Sequence, residues 1–153
     1  MIEEEQQIEK ALTNHFNKLF QSTATSKFDP ILQGIEAKVT DHMNEELTRS
    51  FTEYEVEQAL KQMKALTTPR LDDMPPLFYK TYWNIVVPDV VDAALSVLNS
   101  GIMPSNINHT FICVNPKVKS PESPKDFRPI SLCNVMYKII SKTIANRLKK
   151  NST

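Results

Sequence analysis

Over residues 4–22, Ile8, Leu12, Phe16, Leu19 and Phe20 recur at intervals of one, three and four within a charged and polar background. Side chains so spaced share one face of a helix, so the pattern predicts a first amphipathic helix. Polar residues 22–26 end it. Phe28-Asp29-Pro30 then predicts a short helix with Asp29 as cap and Pro30 at its first position. Thr40, Asp41 and Asn44 mark another turn or short helix that leads to Leu47 and Phe51. The sharpest start signal is Thr52-Glu53-Tyr54-Glu55, a capping box in which the threonine and the acid three residues on satisfy each other's backbone donors. Val56, Ala59, Leu60 and Met63 line one face of the helix that follows.

Residues 67–76 hold three prolines and two acids and predict a loop. Leu77, Phe78, Tyr82 and Trp83 suggest a short aromatic helix. Asp89 is then the expected cap of another, running through Val90, Val91, Ala94, Leu95 and Leu98 to a Ser100-Gly101 stop. Beyond Pro104 the period changes. The β-branched and aromatic segments 109–114 and 127–130 are strand candidates across a loop rich in proline and lysine, enough for one hairpin. From Leu132 onward Val135, Met136, Ile139, Ile140, Ile144 and Leu148 return to helical spacing, with Lys138, Lys142 and Lys149 in a basic stripe on another face. The expected fold class is therefore mainly α with one short β-hairpin, an α+β arrangement.

Composition narrows the class. Hydrophobic residues make up 41% and charged residues 24% of 153, which is globular rather than disordered. The formal net charge of zero conceals a split. Residues 1–114 carry nine Lys or Arg against sixteen Asp or Glu and residues 115–153 carry nine against two, so the two parts stand at −7 and +7. A polyanion is thus expected to meet the C-terminal part alone, unless the two parts mainly attract each other. The acidic start lacks the apolar run of a signal peptide and no stretch approaches a membrane span, so no membrane partner and a cytoplasmic or nuclear location are expected. Cys113 and Cys133 form no Cys-x-x-Cys pair and are expected to be reduced thiols.

With two glycines, at positions 34 and 101, the chain has no glycine-rich phosphate loop. His15, His42 and His109 are isolated, and Asp72-Asp73 reads as a solvated turn rather than a metal site, so no metal ligand is assigned. The stronger constellation is Lys117, Lys119 and Arg128 around the hairpin, where cations on both strands can close on phosphates from one side. A merely solvated basic loop is the alternative.

Three stretches carry a resemblance. They are Lys117-Val118-Lys119-Ser120-Pro121, the run Asp126-Phe127-Arg128-Pro129-Ile130-Ser131-Leu132-Cys133-Asn134-Val135-Met136-Tyr137-Lys138-Ile139-Ile140-Ser141-Lys142, and Ala145-Asn146-Arg147-Leu148. Together they resemble the opening motifs of plant reverse transcriptases of the non-LTR, LINE-type retrotransposons. Phe51-Thr52-Glu53-Tyr54-Glu55-Val56 and Met74-Pro75-Pro76-Leu77-Phe78-Tyr79 are similar to the region that leads into that domain. Where the family has a glycine-bearing loop, this chain reads Thr68-Pro69-Arg70-Leu71-Asp72-Asp73, and Asn115 stands where an apolar residue usually precedes the Pro-Lys pair. Both departures suggest a partly degenerate copy.

The resemblance implies the incomplete fingers part of a right-hand polymerase fold, with residues 1–50 a helical lead-in and 51–153 a partial reverse transcriptase domain. It implies that Lys117 and Arg128 contact the triphosphate of an incoming nucleotide. Lys119, Lys138, Lys142 and Lys149 are the expected nucleic-acid contacts. In the complete family enzyme the partners are an RNA or DNA template-primer and a dNTP, and magnesium is held by palm carboxylates that include a Tyr-x-Asp-Asp turn. No Tyr-x-Asp-Asp occurs in this sequence, so no catalytic residue and no cofactor is assigned and the chain is expected to be inactive alone. The alternative function is a non-catalytic nucleic-acid-binding module that uses the basic C-terminal part; a helical interaction protein is a third reading. Because the apolar face of the last helix would pack on more than the local helices, self-association through that face is also expected.

Overall fold

A computed structural model describes residues 5–22, 39–65 and 74–150. The helix expected at Phe28-Asp29-Pro30 and the Asp72-Asp73 pair lie outside the described residues. The elements in chain order are α1 (Glu5–Phe20), α2 (Asp41–Thr48), α3 (Glu53–Gln62), α4 (Pro76–Thr81), α5 (Trp83–Ser100), α6 (Ser105–Asn108), β1 (Thr110–Pro116), a 3-10 turn (Pro124–Asp126), β2 (Phe127–Cys133) and α7 (Val135–Lys150). The fold is mainly helical with one two-stranded antiparallel sheet, as the pattern predicts.

The chain divides into two compact units: the described residues 5–22 and 112–130 form one, and 39–65, 74–111 and 131–150 the other. In the first, α1 buries Phe16, whose ring lies 6.2 Å from that of Phe20, and α1 packs on the 3-10 turn. Ile8, Leu19 and Phe20, on the expected apolar face, are exposed.

The second unit is built on α3, α5 and α7, which pack against one another. Its core joins Val56 and Leu60 of α3, Val90, Val91, Ala94 and Val97 of α5, and Val135, Ile139 and Ile140 of α7. Each valine, leucine or isoleucine so buried contributes about 1.5 to 3 kcal/mol relative to exposure, which is what holds the three helices together. The Thr52 signal acts as expected: the Glu55 carboxylate accepts from the Thr52 N–H at 3.0 Å and from its hydroxyl at 3.0 Å. At the other end of α3 the Lys80 ammonium donates to the carbonyl oxygens of Lys61, at 2.9 Å, and Met63. A cation there meets both the unpaired carbonyls and the negative end of the helix dipole.

The α5 start differs from the sequence expectation. Asp89 does not cap a helix; α5 begins at Trp83 and runs through Pro88 and Asp89 without a break. Proline at position 88 forgoes only the hydrogen bond to the carbonyl of Asn84, in the second turn, and burial of Val90 and Val91 outweighs that loss. The expected C-terminal stop is present: Gly101 has φ +72° and its N–H donates to the Val97 oxygen at 2.9 Å. Any side chain there would be strained in the left-handed region.

The last helix begins at Val135, three residues later than the pattern suggests, because β2 extends to Cys133. Asn134 is its cap: Oδ1 accepts the Tyr137 N–H at 2.7 Å while Nδ2 donates to the Ile107 oxygen at 3.0 Å. The face that α7 buries is also turned. Thr143 and Arg147 are buried on it, whereas Ile144 and Leu148 are 41% and 53% exposed.

Candidate functional site

The hairpin carries the sequence-predicted cations. Lys117 donates its backbone N–H to the Asp126 oxygen at 2.7 Å, and β1 and β2 are both seven residues long. This register sets Asn115 opposite Arg128, Val114 opposite Pro129 and Pro116 opposite Phe127. Hydrogen-bonded and non-bonded pairs alternate along an antiparallel ladder, so both prolines fall where no ladder donor is needed. That explains how Phe127-Arg128-Pro129 remains a strand.

Side chains alternate across a strand, so Lys117, Asn115 and Arg128 fall on one face of the ribbon, and all three are exposed. Asn115 therefore lies in solvent, where its amide costs nothing, rather than in a packed strand. The loop 117–126 is held from within. One Asp126 carboxylate oxygen, Oδ2, accepts from the N–H groups of Glu122 at 3.1 Å and Ser123 at 2.9 Å, and the Lys117 ammonium donates to the Lys125 oxygen at 2.7 Å. An acid that ties down its own loop leaves Lys119 and Lys125 exposed at the tip and Arg128 on the strand.

Lys117, Lys119 and Arg128 therefore belong to one unit, and Lys138, Lys142 and Lys149 of α7 belong to the other. Lys138 and Lys142 are half-buried and Lys149 is exposed. Helical geometry turns these three lysines to nearly one direction along α7.

Among the described residues, one densely bonded ionic group was not singled out by sequence. Arg147 is 4% exposed and makes a two-pronged pair with Glu55, Nε to Oε1 at 3.1 Å and Nη2 to Oε2 at 2.8 Å. Its remaining donors reach the backbone oxygens of Leu47 and Ser50, each at 3.2 Å, and of Arg49. Its guanidinium carbon stands 3.4 Å from the centre of the Phe51 ring. Arg49 adds a second cation, Nη2 lying 3.3 Å from Glu55 Oε1. Burial raises the Glu55 pKa more than any other single influence, yet the hydrogen bonds from Arg147 and Thr52 and the Arg147 charge together carry it below its ordinary value.

A guanidinium with all its donors engaged has none left for a ligand, so this pair fixes the segment 47–51 to α3 and α7 rather than forming a reactive site. The signal was present in the sequence, since Ile139, Thr143 and Arg147 follow one another at i+4. Beside the pair, α3 and α7 enclose an open cleft of about 190 Å³ lined by Tyr54, Gln58, Gln62, Asn146 and Lys150 as well as Glu55, Thr143 and Arg147. Among the described residues no group of three or more His, Cys, Asp or Glu is arranged to hold a metal ion, and no helix is long and apolar enough to cross a membrane.

No family model matches the chain. Over 111 residues it is 30% identical to the Transposon TX1 uncharacterized 149 kDa protein of Xenopus laevis, a match that covers 72% of this chain and 8% of that protein. The chain thus spans under a tenth of that relative's length. The similarity supports a transposon-related origin for this chain.

Proposed function

We propose that this chain is a fingers-like segment of a non-LTR retrotransposon reverse transcriptase, with residues 1–50 leading into a partial polymerase domain, and that its hairpin binds the phosphates of a nucleotide or nucleic acid. The observation that carries the reading is the common exposed face of Lys117 and Arg128 on a ribbon whose loop is closed by its own aspartate. A lysine where the loop leaves β1 and an arginine on β2 suit a phosphate group, and the arginine adds a planar fork. The similarity to a transposon protein supports the transposon-related origin that this reading requires. Lys119 extends the site at the tip, and Lys138, Lys142 and Lys149 are proposed to meet the nucleic-acid backbone.

Binding, not polymerisation, is the activity proposed for this chain. Joining nucleotides by two-metal chemistry needs carboxylates that hold magnesium ions about 3.5 to 4 Å apart, and the sequence has no Tyr-x-Asp-Asp to supply them. The test is binding of labelled single-stranded RNA and of a nucleoside triphosphate at several salt concentrations. Affinity for RNA is expected to fall steeply with salt, and Lys117→Ala or Arg128→Ala to reduce the log–log slope by about 0.7 each. A flat salt response, or variants that bind like the parent chain, rejects the phosphate-binding reading; magnesium-dependent primer extension rejects the non-catalytic one.

The exposure of Ile144 and Leu148 favours a second property, self-association through α7. Sedimentation at micromolar concentration is expected to show a dimer or larger species that Ile144→Asp dissociates. A monomer throughout excludes it.

A further inference from the structure

The hairpin loop contains two Ser-Pro steps, Ser120-Pro121 and Ser123-Pro124, in the middle of its cations. We propose that Ser120 is a phosphorylation site for a proline-directed serine kinase, and that phosphate there cancels the charge with which the hairpin holds nucleic acid. The modification stands on the loop itself; the effect on binding rests on the function proposed above.

The two serines are not equivalent. Ser123 is half-buried and caps the 3-10 turn, its N–H bonded to Asp126 at 2.9 Å and its hydroxyl paired with the same turn, with Pro124 as the first residue of that turn. A kinase reaching that hydroxyl would have to dismantle the closure of the loop. Ser120 is exposed, lies in the bend that follows β1, and precedes a proline that biases its backbone towards the extended conformation in which a substrate strand enters a cleft. Transfer is a single displacement: the Ser120 hydroxyl oxygen attacks the γ-phosphorus of ATP held by the kinase, its proton passes to the kinase's base, and ADP leaves.

Charge decides the consequence. Residues 117–128 hold Lys117, Lys119, Lys125 and Arg128 against Glu122 and Asp126, four minus two, a net +2. A phosphoserine carries about −1.5 to −2 near neutral pH, so one modification brings the whole segment close to zero. Its three acceptor oxygens also compete directly for Lys119, the neighbouring cation that would otherwise meet an external phosphate. Because the loop is tied by Asp126 and not by Ser120, the hairpin keeps its shape and loses only its attraction for polyanions.

The full chain would be treated with a purified proline-directed serine kinase and ATP, mapped by tandem mass spectrometry, and titrated with labelled single-stranded RNA before and after. The expected result is one phosphate on Ser120, none there in Ser120→Ala, and a loss of affinity of about ten-fold or more on modification. Ser120→Ala should bind like the unmodified parent both before and after kinase treatment. Phosphate on Ser123 instead, no incorporation, or phosphorylated protein that binds as tightly as before overturns the proposal. If unmodified chain fails to bind RNA at any salt concentration, the function proposed above falls together with the switch, while the mass map still decides the modification site.

Discussion

Arg147 Nη2 lies 2.8 Å from Glu55 Oε2 although 92 residues separate the two in sequence. Glu55 already serves the start of α3, accepting the Thr52 N–H and hydroxyl, so one carboxylate joins a helix cap to a buried cation on α7. The same guanidinium collects the carbonyls of Leu47, Arg49 and Ser50, and Asn99 of α5 accepts the Phe51 N–H at 2.7 Å. The extended stretch between α2 and α3 has no strand partner, and these side chains supply its backbone bonds in place of a sheet.

Replacing Arg147 by alanine takes the guanidinium donors from those carbonyls and leaves the Glu55 carboxylate, in a mostly buried setting, with only its Thr52 and Arg49 partners. Breaking one partner of such a pair costs about 3 to 5 kcal/mol, a large part of the total stability of a small domain. Arg147→Lys keeps the charge but not the fork, and is expected to recover less than half of that loss. Urea titration followed by circular dichroism measures both. A lysine variant as stable as the parent would mean that charge, not geometry, matters here.

Acid should loosen the same clasp. The folded pKa of Glu55 is depressed, so its contribution is fully present above the ordinary glutamate value of 4.5 and is lost as pH falls below that through the folded value. Glu55→Gln has no such titration. The stability advantage of the parent over Glu55→Gln, measured by urea titration, is therefore expected to be constant near neutral pH and to shrink as pH drops below 4.5. An advantage that stays constant down to strongly acid pH would show that the carboxylate's charge contributes nothing net.

The continuous course of α5 makes a separate claim. If Asp89 were a helix cap, its replacement by alanine would cost about 1 kcal/mol. Inside an exposed turn of a continuous helix the change should stay within about 0.5 kcal/mol. Pro88→Ala restores a missing helical donor one residue earlier and is expected to stabilise α5 by a fraction of the roughly 3 kcal/mol that separates proline from alanine in a helix interior. A destabilising Asp89→Ala with a neutral Pro88→Ala would instead favour a break at residue 88.

Local chemistry was the legible part of this fold. The capping box at Thr52, the left-handed glycine at 101 and the change of period after Pro104 each depend on a few neighbouring residues, and each appears where the sequence puts it. Placement of Lys117 and Arg128 on one face was legible too, once strands were assumed. What the sequence hid was decided at long range. Asp89 carries a cap's chemistry, but packing of Val86 and Val87 against the core continues the helix through it. Ile144 and Leu148 carry an apolar face's chemistry, but α7 turns so that Thr143 and Arg147 go inward, because Glu55 and three carbonyls wait there. An arginine is buried only when a partner set matches its fork, and that set was dispersed over residues 47–55.

Asn134 offers a last discrimination, because its two ends do different work. Its Oδ1 caps α7 through the Tyr137 N–H, and its Nδ2 ties the helix start to the Ile107 carbonyl at the end of α6. Loss of a cap costs about 1 kcal/mol and loss of a net hydrogen bond about as much again, so Asn134→Ala should cost about 2 kcal/mol. Asn134→Ser restores an acceptor but not the donor and should recover about half. Asn134→Asp is the sharper variant: it caps the helix and favours its positive end, yet presents a charge to the Ile107 oxygen. Stability should therefore fall in the order Asn, Ser or Asp, Ala, with hydrogen exchange at the Tyr137 amide accelerated in the alanine variant alone. Equal exchange in all four proteins would remove Asn134 as the cap and leave the start of α7 to the packing of Val135.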